Sequence, residues 1–186
     1  MSRWEPDGRR RLQEAALALY AEQGFSQTTA AAVAERAGLT ERTFFRYFAD
    51  KREVLFGNED ALQALLTEAV DGCPADASSL DVIAAGLTAL AAELQPRRDD
   101  QLRRAHIIAA HPELQERELI KLASWSAAVE DALRQRGMTV PAAKVAAEVG
   151  MAVFRVAFRR WTGNGAADLP SLVHEALEDL RAFAGG

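Results

Sequence analysis

The amino-acid sequence predicts an all-α protein of about nine helices, a small three-helix head followed by a larger helical body. Three observations carry this. Alanine, leucine, glutamate and arginine dominate the chain, and all four favour helix. Aromatic and β-branched residues nowhere alternate over a strand's length. Apolar residues instead recur three and four apart within segments closed by glycine or proline. The 186 residues are long for one small core and short for two large independent ones. The expected division is residues 1–49 for the head and 50–186 for the body.

Residues 1–8, with Arg3, Trp4 and Pro6, read as an arm, and Asp7 as the cap of the first helix. Leu12, Ala16, Leu19 and Tyr20 give that helix an inner face; Gly24 ends it and Phe25 anchors the turn. Arg9, Arg10 and Arg11 sit in its first turn, where the helix dipole disfavours cations, so solvent or an anionic partner such as phosphate is expected there. Thr28 or Thr29 caps the second helix, whose inner side is Val33, Ala34 and Ala37. Gly38 and Leu39 form a turn, and Thr40 caps the third helix at residues 41–48. Asp50, with Glu53 three residues on, reads as the capping box of a fourth helix through Val54, Leu55, Leu62, Leu65, Leu66 and Ala69.

After a loop at 72–79, Ser78 or Ser79 caps a fifth helix carrying Leu80, Ile83, Leu87, Leu90 and Leu94 and stopping at Pro96. A sixth helix starts at Asp99 or Asp100, presents Leu102, Ile107 and Ile108, and ends at His111. Pro112 opens a seventh, lined by Leu114, Leu122, Trp125, Val129 and Leu133 and ended by Gly137. The eighth runs from near Pro141 to Trp161 with two apolar faces: Val145, Val149, Ala152 and Val156 on one, Met151, Phe154, Phe158 and Trp161 on the other. Gly163, Asn164 and Gly165 make the turn into a ninth helix, which starts at Asp168 and carries Leu169, Leu172, Val173, Ala176, Leu177, Leu180 and Phe183. A helix apolar on two sides needs two partners. A two-fold copy of helices eight and nine supplies the second and makes a four-helix bundle. The expected dimer residues are Val145, Val149, Ala152, Val156, Leu172, Ala176, Leu177 and Leu180.

The third helix is two-sided. Phe44 and Phe48 fall one turn apart, while Arg42, Thr43, Arg46 and Tyr47 fill a contiguous arc opposite them. Two short helices joined by a glycine turn suit a helix-turn-helix whose second helix enters a major groove. Arginine's planar fork pairs with guanine edges or clamps phosphate. A threonine can meet a thymine methyl or a phosphate, and a tyrosine can donate to phosphate. A solvated amphipathic helix satisfies the same spacing.

The stretch 28–51 resembles the DNA-binding half of the TetR family of bacterial repressors. Thr29, Val33, Ala34, Ala37, Gly38, Leu39, Thr40, Thr43, Phe44, Phe45, Tyr47, Phe48, Lys51 and Leu55 match that family's motif in order. Arg42 stands where many members carry glycine, and Phe45 where many carry a tyrosine that meets phosphate. The resemblance implies that Lys51 meets the DNA backbone, and with it the DNA-contacting set is Thr28, Thr29, Thr40, Arg42, Thr43, Arg46, Tyr47 and Lys51. It also implies an inducer held in the body, for which Leu62, Leu66, Leu87, Leu90, Ile108, Leu122, Trp125, Val129, Phe154 and Phe158 are the expected lining. The C-terminal half, with ELIKLASWSAAVEDAL and VAFRRWTGNG, is similar to the mycofactocin-regulator branch, which is associated with acyl-CoA-like effectors. Arg103, Arg104 and Lys121 are the cations available for such an anionic head group.

Charge agrees with site-specific rather than coating contact. The net charge is −5, yet residues 1–55 carry nine Lys/Arg against eight Asp/Glu and the acidic excess lies wholly in the remainder. Cys73 is the single cysteine, so no disulfide within the chain and no cysteine metal cluster is available. The residues three before His106, His111 and His174 are Arg103, Ile108 and Ser171, so the Glu-x-x-His pairs of metal-binding bundles are absent. No phosphate loop, HExxH or GxSxG appears, no metal or cofactor is expected, and nothing points to an enzyme. With no apolar run near the ~20 residues of a membrane span, a cytoplasmic location is expected. The expectation is a homodimeric regulator, a repressor of a near-palindromic double-stranded DNA operator, released by a small hydrophobic effector. The alternative is a helical small-molecule carrier or enzyme with a vestigial DNA-binding head.

Overall fold

The computed structural model describes residues 8–163 and 167–184. The arm with Arg3, Trp4 and Pro6, the Asp7 cap and the turn residues Asn164 and Gly165 lie outside them. Every regular element among the described residues is helical: α1 (Gly8–Gln23), α2 (Ala30–Arg36), α3 (Glu41–Tyr47), α4 (Glu59–Asp71), α5 (Ser79–Leu94), α6 (Arg98–Ala109), α7 (Pro112–Gln135), α8 (Val140–Gly163) and α9 (Leu169–Ala184), with short 3-10 turns at Glu53–Phe56 and Gln95–Arg97. Among the described residues no helix is long and apolar enough to cross a membrane.

Most helix starts follow their caps. Thr29 accepts from the Ala32 amide, Thr40 from the Thr43 amide at 3.2 Å, and Ser78 from the Asp81 amide. Asp168 accepts the Ser171 amide at 2.9 Å, and that bond holds its carboxyl below the usual carboxylate range. The fourth helix is the exception. Asp50 does accept the amides of Arg52 and Glu53, at 2.7 and 3.0 Å, but the turn it opens ends at Phe56. At Gly57 the backbone lies so close to Phe48 that an added Cβ would stand 2.5 Å from the ring. Close packing against the ring thus coincides with the break, and α4 restarts at Glu59.

The chain packs as two compact units. Of the described residues, the first holds 8–57 and 99–116, and the second holds 58–98, 117–163 and 167–184. This differs from a cut at residue 49. Val54, Leu55 and Phe56 are buried with Leu12, Ala16, Tyr20, Val33, Phe44 and Phe48, and so are Ile107, Ile108 and Leu114. The second unit closes around its own core of α4, α5, α7, α8 and α9 side chains, among them Leu66, Leu87, Leu90, Trp125, Met151, Phe154 and Trp161.

Candidate nucleic-acid interface and ligand core

Within the first unit, α2 and α3 meet across a turn fixed by Gly38, whose φ of +66° is the left-handed conformation that glycine tolerates best. Phe44 and Phe48 are buried and stack on each other at 5.6 Å, so α3 is locked by its oily side. Arg42 and Arg46 are exposed on the opposite arc. Arg46 lies 5.0 Å from the centre of the Tyr47 ring, with its Nη2 3.4 Å from the phenol oxygen. That stacking orders a long side chain while leaving most of its donors in water. Thr43 is half-buried, its hydroxyl 2.9 Å from that of Thr40. Thr29 and Thr40 are exposed at the two helix starts, where amide dipoles favour an anion.

Two expected contacts are placed otherwise. Thr28 is 1% exposed and donates its hydroxyl to the Gly24 carbonyl at 2.9 Å, closing the turn after α1. Lys51 donates to the carbonyls of Phe25, Ser26 and Thr28 at 2.9, 3.1 and 3.0 Å, with its ammonium 4.6 Å from the Phe25 ring. An ammonium has three N–H donors, and all three are engaged within the protein. The Tyr20 phenol, driven above its ordinary pKa by burial and then by Asp50, donates to the Lys51 carbonyl at 2.6 Å. Lys51 is therefore a brace of the head.

The arginines of α1 also find protein partners. Arg9 donates to the Gly57 carbonyl, Arg10 pairs with Glu14 at 2.6 Å, and Arg11 donates to the Ala37 carbonyl at 2.5 Å. Arg104 donates to the Leu55 carbonyl at 2.7 Å and stacks over Phe56, and Arg103 lies 3.7 Å from Asp100. Both contacts lie within the first unit. Phe45 is 53% exposed beside Arg42 and Arg46, an apolar member of the outward face. The expected polar set omitted it because the residue type offers no hydrogen bond.

Of the ten expected ligand-lining residues, nine fall in one cluster in the second unit. Leu66, Leu87, Leu90, Trp125, Val129 and Phe154 are buried there, with Leu62, Leu122 and Phe158 partly buried against them. Ile108 instead belongs to the first unit's core. Periodicity identified its apolar face correctly but carried no information on which core that face joins. The cluster encloses an apolar void of about 10 Å³, lined in part by Leu66, Leu87, Val129 and Met151, room for little more than a water molecule. A larger ligand must displace side chains here.

The expected dimer set divides. Val145 and Val156 are 64% and 42% exposed, with Val149 and Ala152 half-buried between them, so one apolar stripe of α8 is open in the isolated subunit. Leu172, Ala176 and Leu177 are buried in the subunit's own core, and Leu180 packs against its edge. The α9 face pairs with α5 and α8 of the same chain, which a pattern of apolar spacing does not distinguish from a second copy. Phe183, 86% exposed, was not among the expected contacts.

The model of the tetR family of bacterial regulatory proteins matches residues 12–57, and that of the MftR C-terminal domain matches residues 77–184. The mycofactocin biosynthesis transcriptional regulator MftR of Mycobacterium tuberculosis is 28% identical over 124 residues; the alignment spans 63% of this chain and 63% of that protein's length. Among solved structures, NalD of Pseudomonas aeruginosa, the secondary repressor of the MexAB-OprM efflux pump, superposes with a TM-score of 0.65 at 20% identity over 95% of this chain and 96% of its own. The transcriptional regulator FadR of Bacillus subtilis, solved with stearoyl-CoA, gives 0.63 at 18% identity over 92% and 96%. At these identities the two structures speak to the fold. Because the MftR-type model covers more than half of its length and the tetR model matches the helix-turn-helix segment, the chain belongs to the TetR family of bacterial regulatory proteins, with a C-terminal domain of the MftR kind.

Proposed function

We propose that the chain is a DNA-binding transcriptional regulator, a homodimeric repressor of a near-palindromic operator that a small hydrophobic effector releases. One observation carries the reading: α3 is fastened by buried Phe44 and Phe48 while Arg42 and Arg46 stand in solvent on the other side. A helix so divided can enter a major groove and read guanine edges with its guanidiniums. Thr43, Tyr47 and the exposed starts at Thr29 and Thr40 supply phosphate or thymine contacts. Two heads related by a dyad must reach half-sites roughly 34–36 Å apart, or an in-phase multiple of that distance. The open stripe Val145–Val149–Ala152–Val156 on α8 supports pairing with a second copy.

The apolar core of the second unit supports the effector half of the proposal. B. subtilis FadR was solved with stearoyl-CoA, which makes an acyl-CoA-like compound a candidate. An effector lowers operator affinity only through its differential binding to the DNA-competent and DNA-incompetent states. The regulators among the relatives support this reading over catalysis or carriage. Selection of bound sites from random double-stranded DNA tests it. A near-palindromic consensus bound against excess competitor DNA is expected; ligand retention with no sequence-selective binding refutes it.

A further inference from the structure

Along the inward side of α8 the aromatic rings form a ladder. Trp125 of α7 meets Phe154 at 6.4 Å between centroids, Phe154 meets Phe158 at 5.7 Å, and Phe158 meets Trp161 at 5.6 Å. The ladder starts one turn from Met151 in the wall of the void. From Met151 to Trp161 the helix advances about 15 Å. At the far end the guanidinium of Arg98 stands 5.9 Å from the Trp161 ring.

That far end holds donors without acceptors. Trp161 is 0% exposed, and among the described residues its Nε1–H has no hydrogen-bond partner. The Nε–H of Arg98 is likewise buried and without a partner among the described residues. Buried polar groups are nearly always satisfied, so two orphans in one contact pair call for a reason. Capping explains only part of it. Arg98 donates Nη2 to the Trp161 carbonyl at 3.0 Å, a favourable place for a cation near the end of α8, but this uses one of five donors and none of the indole's. Among the described residues no carboxylate pairs with Arg98, and Gln95 spends its Oε1 on the Leu169 amide at 2.8 Å.

Guanidinium and indole both donate and accept nothing, and one of them is permanently charged. Together they suit an oxygen acceptor carrying negative charge. We infer that Arg98 and Trp161 form the head-group site for the effector, which is an amphiphile whose apolar body occupies the void and the aromatic ladder and whose free carboxylate accepts from Arg98 Nε and Trp161 Nε1. This rests on the proposed small hydrophobic effector and adds its polar end. Phe158, half-buried between Phe154 and Trp161, is the side chain that must turn aside to join the void to the donors.

The test is calorimetric titration of the full chain with laurate, methyl laurate and lauroyl-CoA, repeated on Trp161→Phe and Arg98→Lys. Trp161→Phe removes the indole donor and keeps an aromatic ring; Arg98→Lys keeps the charge and removes Nε–H. Wild type should bind laurate at least tenfold more tightly than its methyl ester, the ratio expected for a charge-assisted hydrogen bond. Each variant should lose about tenfold for laurate and little for the ester, the double variant falling short of the product because the donors share one acceptor. Should Trp161→Phe unfold, Arg98→Lys on the less buried residue decides alone. Equal affinity of wild type for acid and ester, or binding of lauroyl-CoA alone at a strength neither variant changes, overturns the head-group site and leaves the hydrophobic effector standing. Failure of all three probes to bind overturns the effector reading itself.

Discussion

The guanidinium of Arg11 donates to the carbonyl of Ala37 across 2.5 Å, where the chain leaves α2 for the turn into α3. Through this bond the first helix holds the recognition helix at its root. The next residue, Gly38, is in a left-handed conformation, and a Cβ there would lie 2.9 Å from the same guanidinium. Gly38→Ala therefore combines backbone strain with displacement of Arg11. The expected cost is about 1–3 kcal/mol of head stability. Faster amide exchange across α2 and α3, with the second unit's exchange unchanged, is the measurement.

Lys51 distinguishes a structural from a DNA-facing cation. If its ammonium braces the Phe25, Ser26 and Thr28 carbonyls, Lys51→Met should loosen the turn after α1 by roughly 2 kcal/mol. The dependence of log affinity on log salt should keep its slope. A lysine on a phosphate would instead lower that slope by about 1 and leave exchange rates alone.

Arg46→Ala should act in the opposite way. Arg46 is exposed, and its hydrogen-bond and ring partner among the described residues is Tyr47, so the fold has little to lose. Operator affinity should drop by about 1–3 kcal/mol at physiological salt. If the loss is concentrated at one base-pair position, Arg46 reads a base; if it is uniform across sequences, it holds phosphate.

Acid should loosen the head through Asp50. Burial raises its carboxyl, but the Arg52 side chain and the Glu53 and Arg52 amides outweigh that and leave its pKa below the ordinary value. A depressed folded pKa contributes stability above the unfolded value, about 3.9, and that contribution is lost as pH falls toward the folded value. Below about pH 4 the exchange protection of residues 50–57 should decline, and Asp50→Asn should flatten that decline while lowering protection at neutral pH.

How much of this could be seen beforehand follows from what periodicity encodes. The two sides of α3 were legible, because Phe44 and Phe48 recur at one helical turn and the arginines occupy the remaining arc. The capping residue of α2 was not, because Thr28 and Thr29 are equally able caps. Only the fold shows that Thr28 turns inward to Gly24. The bracing bonds of Lys51 were not legible because its partners lie 23 to 26 residues earlier, and side chain to carbonyl bonds leave no spacing signature. The break at Gly57 coincides with the close approach of Phe48, a tertiary contact that the capping box at Asp50 does not announce. Ile108 and Leu177 share one lesson: apolar spacing marks the side of a helix that is covered and stays silent on what covers it.

Assembly is tested on the open stripe of α8 rather than on α9. Aspartate at Leu177 would strike a residue buried in the subunit's own core, and loss of the dimer would then report unfolding. The open stripe of α8 permits a cleaner design. Val145 and Val156 are exposed in the isolated subunit, so Val145→Asp with Val156→Asp places charges where a lone chain has only water. In a two-fold bundle the same charges meet their own copies across the axis and are desolvated together, which like charges do not tolerate. The double variant should therefore run as a folded monomer by light scattering, with helical content kept. It should also lose most of its operator affinity, since one head then binds without the advantage of a tethered second. A dimer of undiminished strength would move the interface off this stripe, with exposed Phe183 at the end of α9 as the next place to put a charge.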